Sequence, residues 1–288
     1  MTQKIVRMVT SEHGAHQATL PIAADQPQIQ MAHTAAELTA AYTLVHDQYV
    51  KRGYQTAHPK GVHFTPHFAL PTSHTFIASI GAEVVGTLTM VIDGAFGLPM
   101  EKEYPDEIKE LRKQGHRMAE LSCLVTRRPK DLPVLLRLFH AVYAYALHQQ
   151  GVTDFCIAVT TEHQSFYQDN LLFEQAGPAR PYAPYNRENA VVMRLHLPSA
   201  EQRYRNQHSA RRMLGRFFLR RNGIEQPGKP LALPSKDAFY TRLAFARTYL
   251  DWLSLYTITT RKIEDAYLES LRREDACNTK APQRTAWR

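Results

Sequence analysis

The pattern of apolar and polar positions predicts alternating strands and helices over the first 200 residues. Apolar residues recur at helical spacing over 35–50 and cover most of the surface of 132–149, which predicts two helices. β-branched, alternating or continuously apolar runs predict strands over 74–80, 83–93, 118–125, 154–160, 173–180 and 189–197. Because a strand, a helix and a strand follow one another over 118–160, we expect one parallel pair within a mixed α/β sheet flanked by helices.

Local signals predict where several of these elements begin and end. Thr34 and Glu37 have the spacing of a capping box in front of the first helix. Asp131 is a candidate N-cap of the long helix, with Pro133 in its first turn. Gly81-Ala82 is expected to join two strands in a hairpin.

Composition along the chain predicts four regions. Residues 1–27 are polar and suggest a loose arm. The sheet and its helices occupy 28–198. A basic helical extension follows over 199–276, including a helix predicted over 236–255, and 277–288 is expected to be a disordered tail.

The overall composition is that of a soluble globular protein, with 44% hydrophobic and 22% charged residues. No apolar run approaches the ~20 residues that cross a membrane. The N-terminus has no apolar core of the signal-peptide type, and three cysteines provide no disulfide framework. We therefore expect a cytoplasmic protein.

The net charge of +8 is concentrated in one segment. Residues 199–224 contain seven arginines and a single acid, which predicts a local contact with an acidic partner. Apolar residues interleave with these arginines, so a peripheral contact with anionic membrane is an alternative, as is an exposed basic helix without a specific partner. Nucleic acid is disfavoured, because the chain has no recognised nucleic-acid-binding motif.

Glu120 is the unusual residue of the strand predicted over 118–125. Its neighbours are apolar, and a carboxylate in such a strand must be paired, protonated or used. A structural ion pair and a working acid both satisfy this condition.

Four histidines, His58, His63, His67 and His74, lie in and beside a loop over 55–73. They lack a cysteine or acid partner at the spacing of a known metal site. We expect no metal here, and interpret the loop as a lid or pocket wall.

Several segments resemble one enzyme family. They are "HDQYVKRGY" with Tyr49, Gly53 and Tyr54, "GLPMEKEYPDEIKELRKQGHRMAELSCLVTRR" with Glu120, "SFYQDNLLFEQAGPARPY" and "YNRENAVVMRLHL". Together they resemble the long-chain N-acyl amino acid synthases, which are related to acyl-homoserine-lactone autoinducer synthases. The likeness covers about residues 35–197. It implies a GCN5-related N-acetyltransferase (GNAT) fold, with a mostly antiparallel central sheet.

The chain departs from the related families at three points. Val45 and Cys123 stand where arginines are found in the lactone synthases, which disfavours S-adenosylmethionine as a substrate. The glycine-rich pyrophosphate loop of ordinary GNAT enzymes is replaced by "TRRPKDLP". An acetyl-CoA-dependent N-acetyltransferase and an autoinducer synthase remain the alternative functions.

The resemblance implies an N-acyltransferase that moves a long-chain fatty acyl group from an acyl carrier protein to an amino acid. Glu120 is then the base that accepts the ammonium proton, or the group that anchors the amine. Tyr167 protonates the leaving thiolate, unless it is only a core tyrosine. Tyr49 and Tyr54 contribute to the substrate pocket.

The donor in this interpretation is an acyl-phosphopantetheine thioester on acyl carrier protein, rather than acyl-CoA, and no cofactor is bound permanently. The expected acyl and phosphopantetheine contacts are Ser122, Cys123, Leu124 and Val125, whose strand offers a backbone N–H to the thioester oxygen, together with Arg127, Arg128 and Lys130 for a phosphate. The expected docking residues for the acidic carrier protein are Arg211, Arg212, Arg216 and Arg220.

Overall fold

A computed structural model of the protein describes residues 26–128, 131–206 and 236–250. Within these residues the strands are β1 (Gln28–Met31), β2 (Ser73–Ile80), β3 (Glu83–Ile92), β4 (Met118–Thr126), β5 (Asp154–Thr160), β6 (Glu174–Gln175), β7 (Arg180–Pro181) and β8 (Asn189–His196). The helices are α1 (Ala35–Lys51), α2 (Pro105–Lys113), α3 (Leu132–His148), α4 (Gln164–Leu171), α5 (Leu197–Asn206) and α6 (Lys236–Tyr249).

The strands form one mixed sheet in the order β1-β2-β3-β4-β5-β8-β6, and β7 also pairs with β8. All of these pairs are antiparallel except β4 and β5, which run parallel on either side of the crossover through α3. The mixed, mostly antiparallel sheet flanked by helices confirms the predicted fold class.

Helices cover both faces of this sheet. On one face α3 and α5 bury a core that includes Leu88, Ala119, Phe139 and Phe155. On the other face α1 and α6 cover a second core with Tyr42, Val91 and Phe245, while α2 covers a third. Both faces are therefore closed, which explains why the central strands β4 and β5 are apolar over most of their length.

The central strands separate part-way along their length. Parallel pairing joins Met118 to Asp154, Ala119 to Phe155 and Glu120 to Cys156, and then it ends. β4 nevertheless continues to Thr126 and β5 to Thr160. The result is a split in the middle of the sheet that opens one residue beyond Glu120.

Helix α6, from the predicted extension, packs against α1 and the loop before β2. Arg242 is only 8% exposed and donates from one guanidinium nitrogen to the Phe68 carbonyl (2.8 Å) and to the Thr75 hydroxyl (3.3 Å). The Phe245 ring lies edge-on to Phe64, with 5.0 Å between the centroids. This part of the extension therefore completes the core over α1.

Most of the local predictions are confirmed. Thr34 and Glu37 form the capping box, and the Asp131 side chain accepts from the Val134 N–H. The hairpin at Gly81 is present, and its φ of +59° is a conformation that favours glycine.

The strand predicted over 173–180 is wrong. That segment contributes only the two-residue strand β6, and two-residue β7 begins at its end. Pro178 has no N–H for a ladder, and a side chain on Gly177 would lie 2.7 Å from Val192. The helix predicted over 236–255 is observed as Lys236–Tyr249, and its remainder lies outside the described residues.

Some predictions concern parts of the chain that the structure does not describe. These are residues 1–25 of the predicted arm, Lys130, residues 207–235 and 251–276 of the predicted extension, and the predicted tail over 277–288. Among the helices that are described, none is long and apolar enough to cross a membrane.

The packing of α6 yields a stability prediction. Phe245→Ala removes a ring that is 4% exposed, and we expect it to lower the free energy of unfolding by about 3 kcal/mol because a cavity is left against Tyr42 and Phe64. Tyr240→Ala, on the same helix but 56% exposed, should change it by less than about 0.5 kcal/mol. Urea denaturation measures both values; equal effects would show that α6 does not contribute to the folded core.

Candidate active site

A cleft of about 640 Å³, including its open mouth, occupies the split between β4 and β5. Its walls are formed by residues 121–124 of β4 and 157–160 of β5, with Leu88 and Phe139 beside them. Because the two strands no longer pair here, their main-chain polar groups on the facing edges are available to a ligand. The cleft therefore combines an apolar lining with main-chain groups that a ligand can pair with, apart from the Ala158 carbonyl, which already accepts a hydrogen bond from the Tyr185 hydroxyl.

A β-bulge shapes the β4 wall of the cleft. Thr89 pairs with Ser122, but Thr87 pairs with Val125, so Cys123 and Leu124 together face Leu88. Cys123 has a φ of 57°, a left-handed conformation that costs a residue with a side chain about 1–2 kcal/mol. The bulge turns the β4 backbone at the cleft and directs Cys123 into the core over α1, where its thiol is buried.

Glu120 is the last residue of β4 that pairs with β5, and it is 3% exposed. One carboxylate oxygen accepts from the Met100 N–H at 2.7 Å. Within the described residues no cationic side chain pairs with it, so the sequence-based alternative of a structural ion pair has no support there. Burial, with a smaller contribution from Glu103, raises the pKa of Glu120 to about 8 even though the Met100 hydrogen bond opposes the shift.

Tyrosine rings connect the surroundings of Glu120 with the cleft. Tyr49, Tyr54 and Tyr185 all line the cleft, with 4.9 Å between the centroids of Tyr54 and Tyr185 and 6.1 Å between those of Tyr49 and Tyr185. The Tyr185 hydroxyl donates to the Ala158 carbonyl at 3.0 Å and also hydrogen-bonds Tyr49. Burial raises the pKa of Tyr49 and Tyr185, and the nearby charge of Glu120 adds to the shift at Tyr185. These hydroxyls therefore remain neutral.

Tyr167 of α4 also lines the cleft. Its ring is held edge-on by Phe173 (5.8 Å) and Phe166 (5.4 Å). Burial raises the pKa of Tyr167 to about 12, while the charge of Arg52 acts in the other direction. A phenol of this kind is protonated at neutral pH and can donate to an anion in the cleft.

The basic turn after β4 lies apart from the cleft lining. Arg127 pairs with Glu83 at 2.9 Å and donates to the Val84 carbonyl, while Arg128 is exposed. Asp131 caps the N-terminus of α3 and so occupies one of the N–H groups that a phosphate would use. Val125 is packed in the core over α1. Of the predicted donor contacts, Ser122, Cys123 and Leu124 line the cleft, whereas Val125, Arg127 and Arg128 do not.

The loop histidines make separate contacts. His63 bonds the Gln55 side chain at 2.6 Å, and His74 is buried against Tyr145. Burial lowers the pKa of His63 to about 4 and that of His74 to about 3, so both rings are neutral.

A different cluster brings together metal-ligating side chains. Ligand atoms of His116, Asp154 and His196 lie within 4.8 Å of one another. Arg194 donates to the Asp154 carboxylate at 2.6 Å and lies 3.1 Å from the His116 ring, so its guanidinium already neutralises the acid. A metal ion would have to displace it.

Comparisons with known proteins bear on this arrangement. The sequence model of the N-acyl amino acid synthase FeeM family matches residues 40–196, which is more than half of the chain. The chain belongs to the N-acyl amino acid synthase FeeM family. It is therefore an N-acyltransferase. A comparison with curated protein sequences finds no match.

Solved structures agree with the family. The structure of FeeM, an N-acyl amino acid synthase from uncultured soil microbes, is 26% identical with a TM-score of 0.55, covering 62% of this chain and 94% of that one. BjaI, a CoA-dependent acyl-homoserine lactone synthase, shares the fold at 17% identity and a TM-score of 0.50, covering 76% of this chain and 99% of that one. In this FeeM-family chain the cleft lies within the matched residues.

Four polar residues line the cleft of this FeeM-family chain without having been predicted from the sequence. Tyr185 follows Pro184 in a turn whose next two residues have positive φ. Proline at this position indicates a turn, but nothing in the sequence indicates which residues Tyr185 contacts. Thr160 and His163, bonded to each other at 2.7 Å, lie where β5 ends. Arg52 stands next to the glycine of the quoted "HDQYVKRGY" segment, yet no pattern indicated that it lines the cleft.

The buried state of Glu120 yields a prediction on stability and pH. Its pKa rises from the usual 4.5 to about 8 on folding, so folding favours the protonated form. The resulting contribution of Glu120 to the free energy of unfolding is complete below pH 4.5 and is lost as the pH rises through 8. The free energy of unfolding of the wild type should fall by on the order of 3–5 kcal/mol over this range. Glu120→Gln keeps the acceptor for Met100 but does not titrate.

Urea denaturation of both proteins from pH 4 to 9 measures the difference. The two stabilities should converge at the acid end, and the variant should be the more stable protein at pH 9. Stability curves that stay parallel across this range would show that Glu120 is ionised in the folded protein at neutral pH.

Proposed function

We propose that this protein transfers a long-chain fatty acyl group from the phosphopantetheine thioester of an acyl carrier protein to the amine of an amino acid, giving an N-acyl amino acid. The observation that carries the proposal is the position of Glu120, a buried acid without an ionic partner in the described chain, at the closed end of a cleft with free strand edges. Family membership supplies the reaction type.

The donor fits the split as an additional, extended strand. A pantetheine arm carries amide groups that can pair with the unpaired edges of β4 and β5. The bulge at Cys123 turns the β4 backbone at this point, and an amide N–H of 122–125 can then meet the thioester oxygen. Such a hydrogen bond strengthens as the carbonyl oxygen becomes negative during attack.

The reaction then follows from the polar groups around the cleft. The amine nitrogen attacks the thioester carbonyl carbon, the carbon–sulfur bond breaks, and an amide forms. Glu120 receives one proton of the ammonium group through a water, since it lies behind the lining residues. Tyr167 gives its proton to the leaving thiolate. The second proton that the nitrogen loses as the amide forms passes to solvent, and solvent reprotonates Tyr167.

The apolar part of the lining suits the acyl chain. Leu88, Leu121, Phe139, Ile157 and Val159 line the cleft and belong to the core under α3. The acyl chain therefore fits on the α3 side of the sheet. The loop over 55–73 packs instead with α1 and α6 through Phe64 and Phe68.

The turn after β4 favours a carrier protein over coenzyme A. It lacks the glycines that let backbone wrap a pyrophosphate, Arg127 is held by Glu83, and Asp131 occupies the α3 N-terminus. A single phosphate requires fewer free donors than a pyrophosphate. BjaI is a CoA-dependent enzyme of the same fold, so the fold alone leaves the donor open.

The segment around Arg211, Arg212, Arg216 and Arg220 is proposed as the surface that docks the acidic carrier protein in the cytoplasm. Its charge is the support, since it lies outside the described residues. Contact of the same arginines with anionic lipid is the alternative, and the interleaved phenylalanines would favour it.

A comparison of donors tests the proposal. The purified protein is incubated with an amino acid mixture and, in turn, with long-chain acyl carrier protein, long-chain acyl-CoA and acetyl-CoA. We expect N-acyl amino acids by mass spectrometry, with the highest kcat/KM for the carrier-protein thioester. Turnover with acetyl-CoA alone would replace the proposal with an ordinary N-acetyltransferase, and a lactone product would indicate an autoinducer synthase.

The role of Glu120 has its own test. Glu120→Gln should lower kcat by about 10²–10⁴-fold, because the neutral amide cannot accept the ammonium proton. Glu110→Gln, an exposed acid on α2, is the control and should retain full activity. A folded Glu120→Gln protein with nearly normal turnover would assign the acid a purely structural role.

A further inference from the structure

Arg52 is the basic residue of the cleft. It follows the last turn of α1, where its backbone N–H bonds the Gln48 carbonyl, and its side chain lines the cleft beside Tyr49 and Tyr54. It is the only arginine or lysine among the lining residues of the described chain. No described carboxylate forms an ion pair with it, whereas Arg112, Arg127 and Arg194 each pair with an acid.

Arg52 lines the cleft together with Tyr167. Its charge acts on Tyr167 of α4, the helix that begins just beyond the end of β5. Thr160 and His163 line the same region. Glu120 lies behind the lining, where pairing of β4 and β5 stops. The cleft thus has a cation in its lining and an acid behind it.

We propose that Arg52 binds the α-carboxylate of the acceptor amino acid and so orients its amine toward Glu120. The assignment rests on the proposed function. An amino acid brings an ammonium and a carboxylate into a cleft with mostly aromatic and aliphatic walls, and a carboxylate leaving water there requires a cation and hydrogen-bond donors. The planar guanidinium supplies both through two parallel N–H donors.

Two other anions of the reaction fit this position less well. Under the proposed function the donor phosphate lies at the turn after β4, outside the cleft lining, whereas Arg52 is part of that lining. In the proposed mechanism the leaving thiolate receives a proton from Tyr167, so its negative charge is transient. The carboxylate is the anion that stays on the acceptor throughout the reaction.

The test compares the acylation of an amino acid with the acylation of its α-carboxamide, which lacks the negative charge. The wild-type protein is first offered the twenty common L-amino acids with saturating acyl donor. The acid acylated fastest and its α-carboxamide are then measured with the wild type, Arg52→Gln, Arg52→Lys and the control Lys51→Gln. Lys51 is also exposed at the end of α1 but does not line the cleft. Melting temperatures verify that each variant is folded.

We expect Arg52→Gln to raise KM for the amino acid about tenfold or more with kcat within about twofold, and to leave the carboxamide unaffected. Arg52→Lys should retain part of the preference for the amino acid over its carboxamide, and Lys51→Gln should match the wild type. If an active Arg52→Gln protein keeps the wild-type ratio of kcat/KM for the amino acid to kcat/KM for its carboxamide, Arg52 does not bind the carboxylate, while the proposed function still stands. If Arg52→Gln lowers kcat equally for the amino acid and its carboxamide, the carboxylate-binding role is wrong and Arg52 acts on the leaving thiolate instead. A wild type that acylates none of the amino acids would overturn the proposed function and this assignment together.

Discussion

The end of pairing between β4 and β5 is the constraint on which the site depends. Three residue pairs hold these parallel strands together, and beyond Glu120 and Cys156 they separate while both continue. A separated sheet would expose main-chain polar groups to an apolar interior, which is unfavourable unless a ligand or water satisfies them. Helices α1 and α3 cover the two faces beside the split, so the sheet stays intact around the opening. The cleft is therefore a consequence of strand geometry.

The chemistry of Glu120 follows from the same geometry. At the last paired position its side chain is enclosed by the core under α2 and α1, and burial disfavours the carboxylate more than one hydrogen bond from Met100 favours it. A carboxyl group with a pKa of about 8 is a base matched to neutral or slightly alkaline conditions. Tyr49 and Tyr185 of the neighbouring cleft are neutral, so they add no charge that would cancel this effect.

Much of this architecture was predictable because its signals are local. Thr34, Glu37 and Asp131 define helix starts within four residues, and an isolated acid among apolar residues marked Glu120. Tyr49 and Tyr54 came from the family resemblance, and both line the cleft. The positive φ at Cys123 was not predictable, since no glycine marks it. Tyr185 and Arg52 reach the cleft through packing between distant segments, which periodicity does not report.

A crystal structure with a stable analogue of the acyl-pantetheine donor, in which a methylene group replaces the thioester sulfur, tests the central claim most directly. We expect the pantetheine arm between β4 and β5, with the ketone oxygen within about 3 Å of a backbone N–H of 122–125. The acyl chain should contact Leu88, Leu121 and Phe139. A donor bound elsewhere on the protein, with the split between the two strands left empty, would contradict the account.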